Sequence, residues 1–355
     1  MSEAVLVAAV LGALAVGAAL AWASGRRGTA RVLLAALVAA AAVAALLGAW
    51  GLRWAIIAAA AVAACAAAAW AFRALLVAAL PQRAGPALRA APLTAAFGLL
   101  VIALYVVAGV FAPVLAPFGE AEIVGGSFAP ADGQMLLGAD QLGRDLLSRL
   151  IWGARNTVGL ALLTTGLAFL AGASAGLMAA VRGGWVDQIL GRAADVLMSV
   201  PSLIFALLML SILGTSLPLI VVVVAVIYAP RVFRLTRAVA GEVVTMDYIE
   251  AARLRGEGDL YLIRREILPN ASAPLVAEFG LEFCFVFLLI SGLSFLGLGI
   301  QPPAADWGSM VRESATLISF GVATPLIPAA AIALLTVAVN FVVDWMLHRS
   351  SGLKS

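Results

Sequence analysis

Two carboxylates, Glu278 and Glu282, stand one helical turn apart inside an apolar run that covers 274–298. An ionisable side chain at membrane depth is costly unless it meets a counter-charge or a wet cavity, so it marks a site or a partner. Glu278 falls near the cytoplasmic boundary of the run. Glu282 lies deeper and has two readings. It faces a translocation path and holds a cationic group such as an amino terminus, or it pairs with a neighbouring chain. Pro201 and Ser202 interrupt another apolar run. Proline there frees a backbone carbonyl and bends the helix, which lipid tolerates where protein or a cavity resatisfies the backbone. Glu282, Pro201 and Ser202 are therefore the candidate lining of a path. Asn340 and Asp344, four residues apart on one helix face, read as a satisfied polar pair.

Several chemistries are excluded by what is missing. His348 is the one histidine and Lys354 the one lysine. A phosphate-binding loop of the Gly-Lys-Ser/Thr kind cannot be built, and histidine-based acid–base or metal chemistry lacks its residues. Cys65 and Cys284 both fall in apolar runs and read as small buried hydrophobes; a disulfide framework or zinc site needs more ligands. No catalytic residue is nominated. The net charge of +3 comes with arginines gathered at the ends of apolar runs, which points to membrane topology and away from nucleic acid.

The densest charge lies between two apolar runs, from Arg231 to Asn270. Glu250-Ala251-Ala252 opens a segment of good helix formers. Gly256 and Gly258 break it, as turns do. Asp259 begins a second piece, in which Leu260, Leu262 and Ile263 give a short apolar face. Pro269 ends it and can occupy the first turn of the next helix. The stretch reads as helix, turn, helix outside the bilayer, with an apolar strip that needs a partner.

These elements must be held by membrane helices. The chain has 355 residues, 64% hydrophobic and 12% charged, with mean hydropathy +1.10; a soluble domain has about a quarter charged. Runs of about 20 apolar residues cross a ~30 Å hydrocarbon core. Such runs cover 4–23, 32–50, 54–80, 93–112, 156–181, 193–213, 216–230, 274–298 and 325–347. The fold class is all-α, a polytopic transmembrane bundle. Residues 1–90 form an N-terminal extension with three spans, and 91–350 a second domain containing the charged loop 231–270. Positive-inside bias places Arg26, Arg27, Arg31, Arg83 and Arg89 in the cytoplasm and the N-terminus outside it. The first run lacks a basic leading segment and does not read as a signal peptide. The run 156–181 is rich in Gly, Ala, Ser and Thr, which suits close helix packing in lipid. Outside, Asp140, Arg144, Asp145 and Arg149 form either a solvated ion-pair cluster or a device that sets how the external loop meets the next helix. Trp307 suits the external membrane interface.

Three strings carry a resemblance. Glu250-Ala251-Ala252, Gly256 and Ile267-Leu268-Pro269-Asn270 resemble the cytoplasmic EAA loop of ABC importer permeases. The stretch Met135–Arg155, with Leu-Gly-Ala-Asp-Gln-Leu-Gly-Arg-Asp, resembles the C-type permeases of the dipeptide, oligopeptide and nickel importers, with Ala139 where that family has Thr. Leu293-Ser-Phe-Leu-Gly-Leu-Gly-Ile-Gln-Pro-Pro303 and the Pro201-Ser202 pair are similar to the same subfamily. The resemblance covers about 90–350.

It implies a type I importer fold with a six-helix core, in a bacterial inner membrane. The implied function is the permease subunit of an ATP-driven importer of peptides or a related small solute. Glu250, Ala251, Ala252, Gly256, Asp259 and Pro269 would form the loop that docks on the ATPase. The implied partners are a second homologous permease, two P-loop ATPase subunits and an extracytoplasmic substrate-binding protein, with lipid around them. ATP and Mg would be bound by those ATPase chains, and no cofactor by this one. The alternative is a secondary transporter using Glu278, Glu282 and Asp344 as ion sites, a class that often shows inverted repeats; no convincing repeat is visible here.

Overall fold

The computed structural model describes residues 60–78, 89–320 and 324–350. The expected spans at 4–23 and 32–50, the arginines near them and those of 79–88 lie outside the described residues. The chain divides into two compact units, Met1–Leu93 and Thr94–Ser355. In the first, helix α1 (Ala60–Ala78) carries part of the expected 54–80 run. Cys65 is exposed on it rather than buried. Arg73 donates to the carbonyl of Ala91 at 2.9 Å.

The second unit is helical. In order come α2 (Leu93–Val110), α3 (Leu146–Arg182), α4 (Gly184–Met198), α5 (Ser202–Leu213), α6 (Leu217–Val244), α7 (Asp247–Leu254), α8 (Asp259–Phe295), α9 (Trp307–Ser314) and α10 (Leu326–Ser350). Among the described residues six helices are long and apolar enough to cross a membrane. Helices α3 and α8 begin well outside the expected spans, because each runs on through a π-helical segment, Ala154–Val158 and Leu262–Ile267.

The tightest seam joins α3 to α6. Gly172 lies against Ala229, Val232 and Phe233, and Gly176 against Phe233, Thr236 and Arg237. Residue numbers rise together along both helices, so they run parallel. Lipid gives no hydrophobic drive to helix association, and what is gained is van der Waals contact, which bare glycine backbone maximises. Two parallel helices also require the chain to cross the membrane between them.

That crossing is made by α4 and α5. Sequence spacing predicts one kinked span over 193–213. Instead the two helices meet at 84° across Ser199–Pro201. Pro201 disfavours helical backbone at Val200, and the chain turns where a milder kink was expected. Helix α4 stays at the cytoplasmic end of α6, where Arg237 pairs with Asp187. Helix α5 then climbs beside α6, with Ala206 and Leu210 in the core.

The remaining helices alternate in direction. Tyr228 of α6 donates to the carbonyl of Phe285 on α8 at 3.1 Å. On α10, Asn340 donates to the carbonyl of Thr336 at 2.8 Å and touches the sulfur of buried Cys284 on α8. Tyr105 of α2 reaches the carbonyl of Ala331 on α10 at 3.0 Å. Ile220, Val224, Phe287, Ile290 and Leu293 form the shared core.

The outer end is closed by a cap built from 111–145 and 296–320. Asp145 and Asp306 cap the N-termini of α3 and α9, accepting from the N–H of Ser148 at 2.7 Å and of Ser309 at 2.8 Å. The four charges read as a possible solvated cluster are buried. Arg149 donates to Asp140 at 2.5 Å and to Glu313 at 2.8 Å, and Arg144 donates to Asp140 at 2.7 Å. Burial alone would raise the Asp140 carboxyl; the Arg144 backbone N–H, the Arg149 charge, the Leu142 N–H and the Arg144 side chain outweigh it and hold it below the ordinary aspartate range. Asp306 is the opposite case: burial raises it despite bonds from Ser309 and Thr157. Trp307 is not at the membrane surface. It is 1% exposed, donates to the carbonyl of Leu150 at 2.9 Å and meets Tyr105 and Phe287 edge to face.

Candidate functional site

Helix α7 is short and carries its charges in the favourable order. Asp247 and Glu250 lie in its first turn and Arg253 in its last, each stabilised by the helix dipole. Ile249 and Ala252, three residues apart, are buried against Leu177 and Val181 of α3, Ala240 of α6, and Leu262 and Ile267 of α8. Arg253 donates to the carbonyl of Val181 at 3.2 Å, and Arg182 pairs with Asp259 at 2.8 Å. Gly256 takes φ +84°, a left-handed turn that a side chain disfavours; its N–H closes on the carbonyl of Arg253 at 2.9 Å. The loop is thus fastened to the cytoplasmic ends of three helices.

The predicted loop residues separate into two groups. Glu250, Ala251, Gly256, Asp259 and Pro269 are exposed. Ala252 is not: it is fully buried in the chain's own core and offers no surface to a partner. The i, i+3 spacing of Ile249 and Ala252 was the available signal. The outer face also holds Tyr248 and Leu254, the latter 83% exposed, which the motif alone did not single out. Pro269 does not end a helix; α8 continues through it, since proline stands within two residues of the start of a new α-helical register after the π segment.

The three predicted path residues converge on one cation that sequence reasoning assigned to the cytoplasmic exit. Arg231 and Glu282 approach to 3.4 Å. Glu282 is 1% exposed, and Arg231 lies over the ring of Phe285 at 4.4 Å. Pro201, Ser202 and Arg231 line one pocket at the α4–α5 break. Arg231 thus gives Glu282 a counter-charge on its own chain. A carboxylate buried in one helix demands a cation, and the arginine triad 231, 234 and 237 held the candidates. Among the described residues no group of three metal-ligating side chains forms, and Asn340, expected to pair with Asp344, bonds to Thr336 and Cys284.

A family model described as binding-protein-dependent transport system inner membrane component matches residues 172–351. The chain belongs to this family. It is similar to the di/tripeptide transport system permease protein DppC of Pseudomonas aeruginosa, 35% identical over 259 residues, which are 70% of this chain and 84% of that protein. It is 30% identical over 248 residues to the dipeptide transport system permease protein of Alkalihalophilus pseudofirmus, covering 70% and 82% of the two chains. The glutathione transport system permease protein of Pectobacterium atrosepticum is 33% identical over 208 residues, 59% of this chain and 69% of its own length. As a member of the binding-protein-dependent permeases, the chain is a multi-pass subunit of the bacterial inner membrane in an ATP-driven ABC importer. It is non-catalytic, and ATP hydrolysis belongs to separate subunits. Membership implies ATPase and binding-protein partners.

Proposed function

We propose that this permease carries short peptides, released to it by an extracytoplasmic binding protein, across the inner membrane. The observation that carries this reading is the peptide specificity in the names of relatives that align with 70% of the chain. The permease domain is 91–350, with 1–90 an appended segment outside it. A second homologous permease completes the pathway, and two ATPase subunits dock below. The coupling surface is the exposed face of the 231–270 loop: Glu250, Ala251, Gly256, Asp259 and Pro269, extended by Tyr248 and Leu254. Small residues and an apolar tip fit a groove on a partner, and the fastening of α7 to α3, α6 and α8 supports its moving with them as one body. Glu282, Pro201 and Ser202 border the path through their common neighbour Arg231.

The test is uptake of a radiolabelled dipeptide by membranes holding the assembled transporter, with a mild-detergent pull-down of this chain. Peptide uptake that needs ATP, and recovery of a P-loop ATPase and a second permease, are expected. A chain recovered alone, or uptake of a non-peptide solute only, overturns the reading.

A further inference from the structure

Helix α4 leaves the end of α3 through Gly183 and Gly184, at φ +60° and +55°. It lies at the level where Arg237 of α6 pairs with Asp187, and its 15 residues extend about 22 Å. It meets α5 at 84°, and α5 packs along the membrane-spanning α6. A helix nearly perpendicular to a spanning one lies along the membrane plane, here at the cytoplasmic boundary.

At about 100° per residue the side chains of α4 divide into three sectors. Leu190 and Ala194 turn inward, where they pack with Ala179 of α3 and Phe233 of α6. Asp187, Gln188, Arg192 and Asp195 fall within an arc of about 140°. Trp185, Ile189, Ala193, Val196 and Leu197 fill the opposite arc of about 120°. Trp185 is 73% exposed, Ile189 58% and Val196 68%. In water such a stripe would be an aggregation hazard. At a membrane boundary it is the arrangement of an interfacial helix: charged side toward water, apolar side among acyl chains, tryptophan at the headgroup level. Arg192 is the one basic side chain of α4. It stands at the border of the charged and apolar sectors, where a long side chain reaches phosphates while its stem stays on apolar surface. The apolar sector offers one indole and otherwise only aliphatic groups, which suits a fluid acyl layer.

We infer that α4 binds the cytoplasmic leaflet as an in-plane helix, with Trp185, Ile189 and Val196 among the upper acyl chains and Arg192 at phospholipid phosphates. The contact is the same whichever solute crosses. It places the Ser199–Pro201 break at the membrane surface. Helix α5 then enters the bilayer from a helix held by lipid on one side and by the Arg237–Asp187 pair on the other.

For the test, the full chain, assembled with its partner subunits, is reconstituted in liposomes of phospholipid brominated high on the acyl chains. The fluorescence lost on Trp185→Phe isolates Trp185 from the other tryptophans. That difference signal is expected to be quenched by the brominated lipid and to change little with iodide on both sides of the membrane. In the Trp185→Phe background, Ile189→Trp and Val196→Trp are expected to follow the lipid quencher and Gln188→Trp to follow iodide. Iodide quenching at 185, 189 and 196 overturns the inference. Shielding of these positions from both quenchers overturns it too, and assigns the face to a protein partner. Equal lipid quenching of Gln188→Trp also overturns it, because the whole helix is then submerged. If Trp185→Phe does not assemble, the three added tryptophans are read against the wild-type chain by the same criteria.

Discussion

Arg149 and Glu313, 164 residues apart, meet at 2.8 Å in the external cap, and the same guanidinium nitrogen also bonds Asp140 at 2.5 Å. One arginine thereby ties the loop before α3 to helix α9. Buried ion pairs gain little over a packed apolar core but are costly to break, about 3–5 kcal/mol when one partner is removed. Arg149→Met is expected to lower thermal stability in detergent by that order. A compensating Glu313→Gln change, which leaves Arg144 paired with Asp140, recovers part of it. Equal stability of wild type and Arg149→Met would show that the cluster is not holding the cap.

The cap also has a pH signature of definite sign. Asp140 is held below the ordinary aspartate range in the folded chain. Its contribution is fully present above the unfolded value of about 3.9 and is lost as pH falls through the lower folded value. Between pH 7 and pH 5 this group predicts no change; acid below about 4 loosens the cap. Limited proteolysis within 113–145 at pH 7, 5 and 3.5 measures it. Increased cleavage already at pH 5 would contradict the assignment to Asp140.

Asp306 titrates in the other direction. Its carboxyl is raised by burial, so its stabilising contribution is greatest at low pH and is lost as pH rises through the raised value. Asn keeps the cap acceptor without the charge. Asp306→Asn, which removes the charge that burial penalises, is expected to be near neutral at pH 7, and Asp306→Ala to cost about 1–2 kcal/mol through the lost cap on Ser309. Thermal denaturation of the two variants ranks them; the reverse order would remove the capping role.

Much of this architecture was legible because membrane helices announce themselves by length and hydropathy. The charged loop also folds as the helix, turn and helix that its residues predicted. What was not legible followed from local geometry. Nothing in the sequence marks the π segments at 154–158 and 262–267 that lengthen α3 and α8. Trp307 looked interfacial because tryptophan usually is, and only the fold shows Leu150, Tyr105 and Phe287 around it. The motif at 250–252 named a helix without its rotation, so Ala252 was grouped with its exposed neighbours. Glu282 was recognisable as special, while Arg231 was one of three similar arginines.

Gly172 and Gly176 set the α3–α6 distance. A methyl at 176 would stand 2.8 Å from the carbonyl oxygen of Phe233 and from Thr236 Cβ. Backbone and a branched side chain cannot step aside, so Gly176→Ala is expected to destabilise by about 1–3 kcal/mol. Gly166, with open space around it, serves as the control on the same helix. Equal effects of the two alanines on thermal stability would exclude seam packing as the cause.

Gly256 separates strain from contact. A Cβ there meets nothing within 4 Å, but the backbone sits at φ +84°. Gly256→Ala is therefore expected to cost only about 1–2 kcal/mol, through the left-handed conformation, with uptake retained. Gly256→Arg is expected to insert normally and abolish uptake, because its bulk projects from the exposed face. Normal uptake by Gly256→Arg, at wild-type membrane levels, would count against a partner docking there.

The π segments in α3 and α8 bear on more than length. Each adds one residue to a turn, which rotates everything beyond it by about 100° relative to an unbroken helix. A 37-residue helix then no longer presents a single stripe. Its part beyond the joint faces one set of neighbours, and its membrane part another, each with its own register. In α3 the joint lies at the outer cap; in α8 it lies beside the cytoplasmic loop. The two helices are spliced at opposite ends, so the membrane core between the splices can keep its packing while each end answers to a different neighbour.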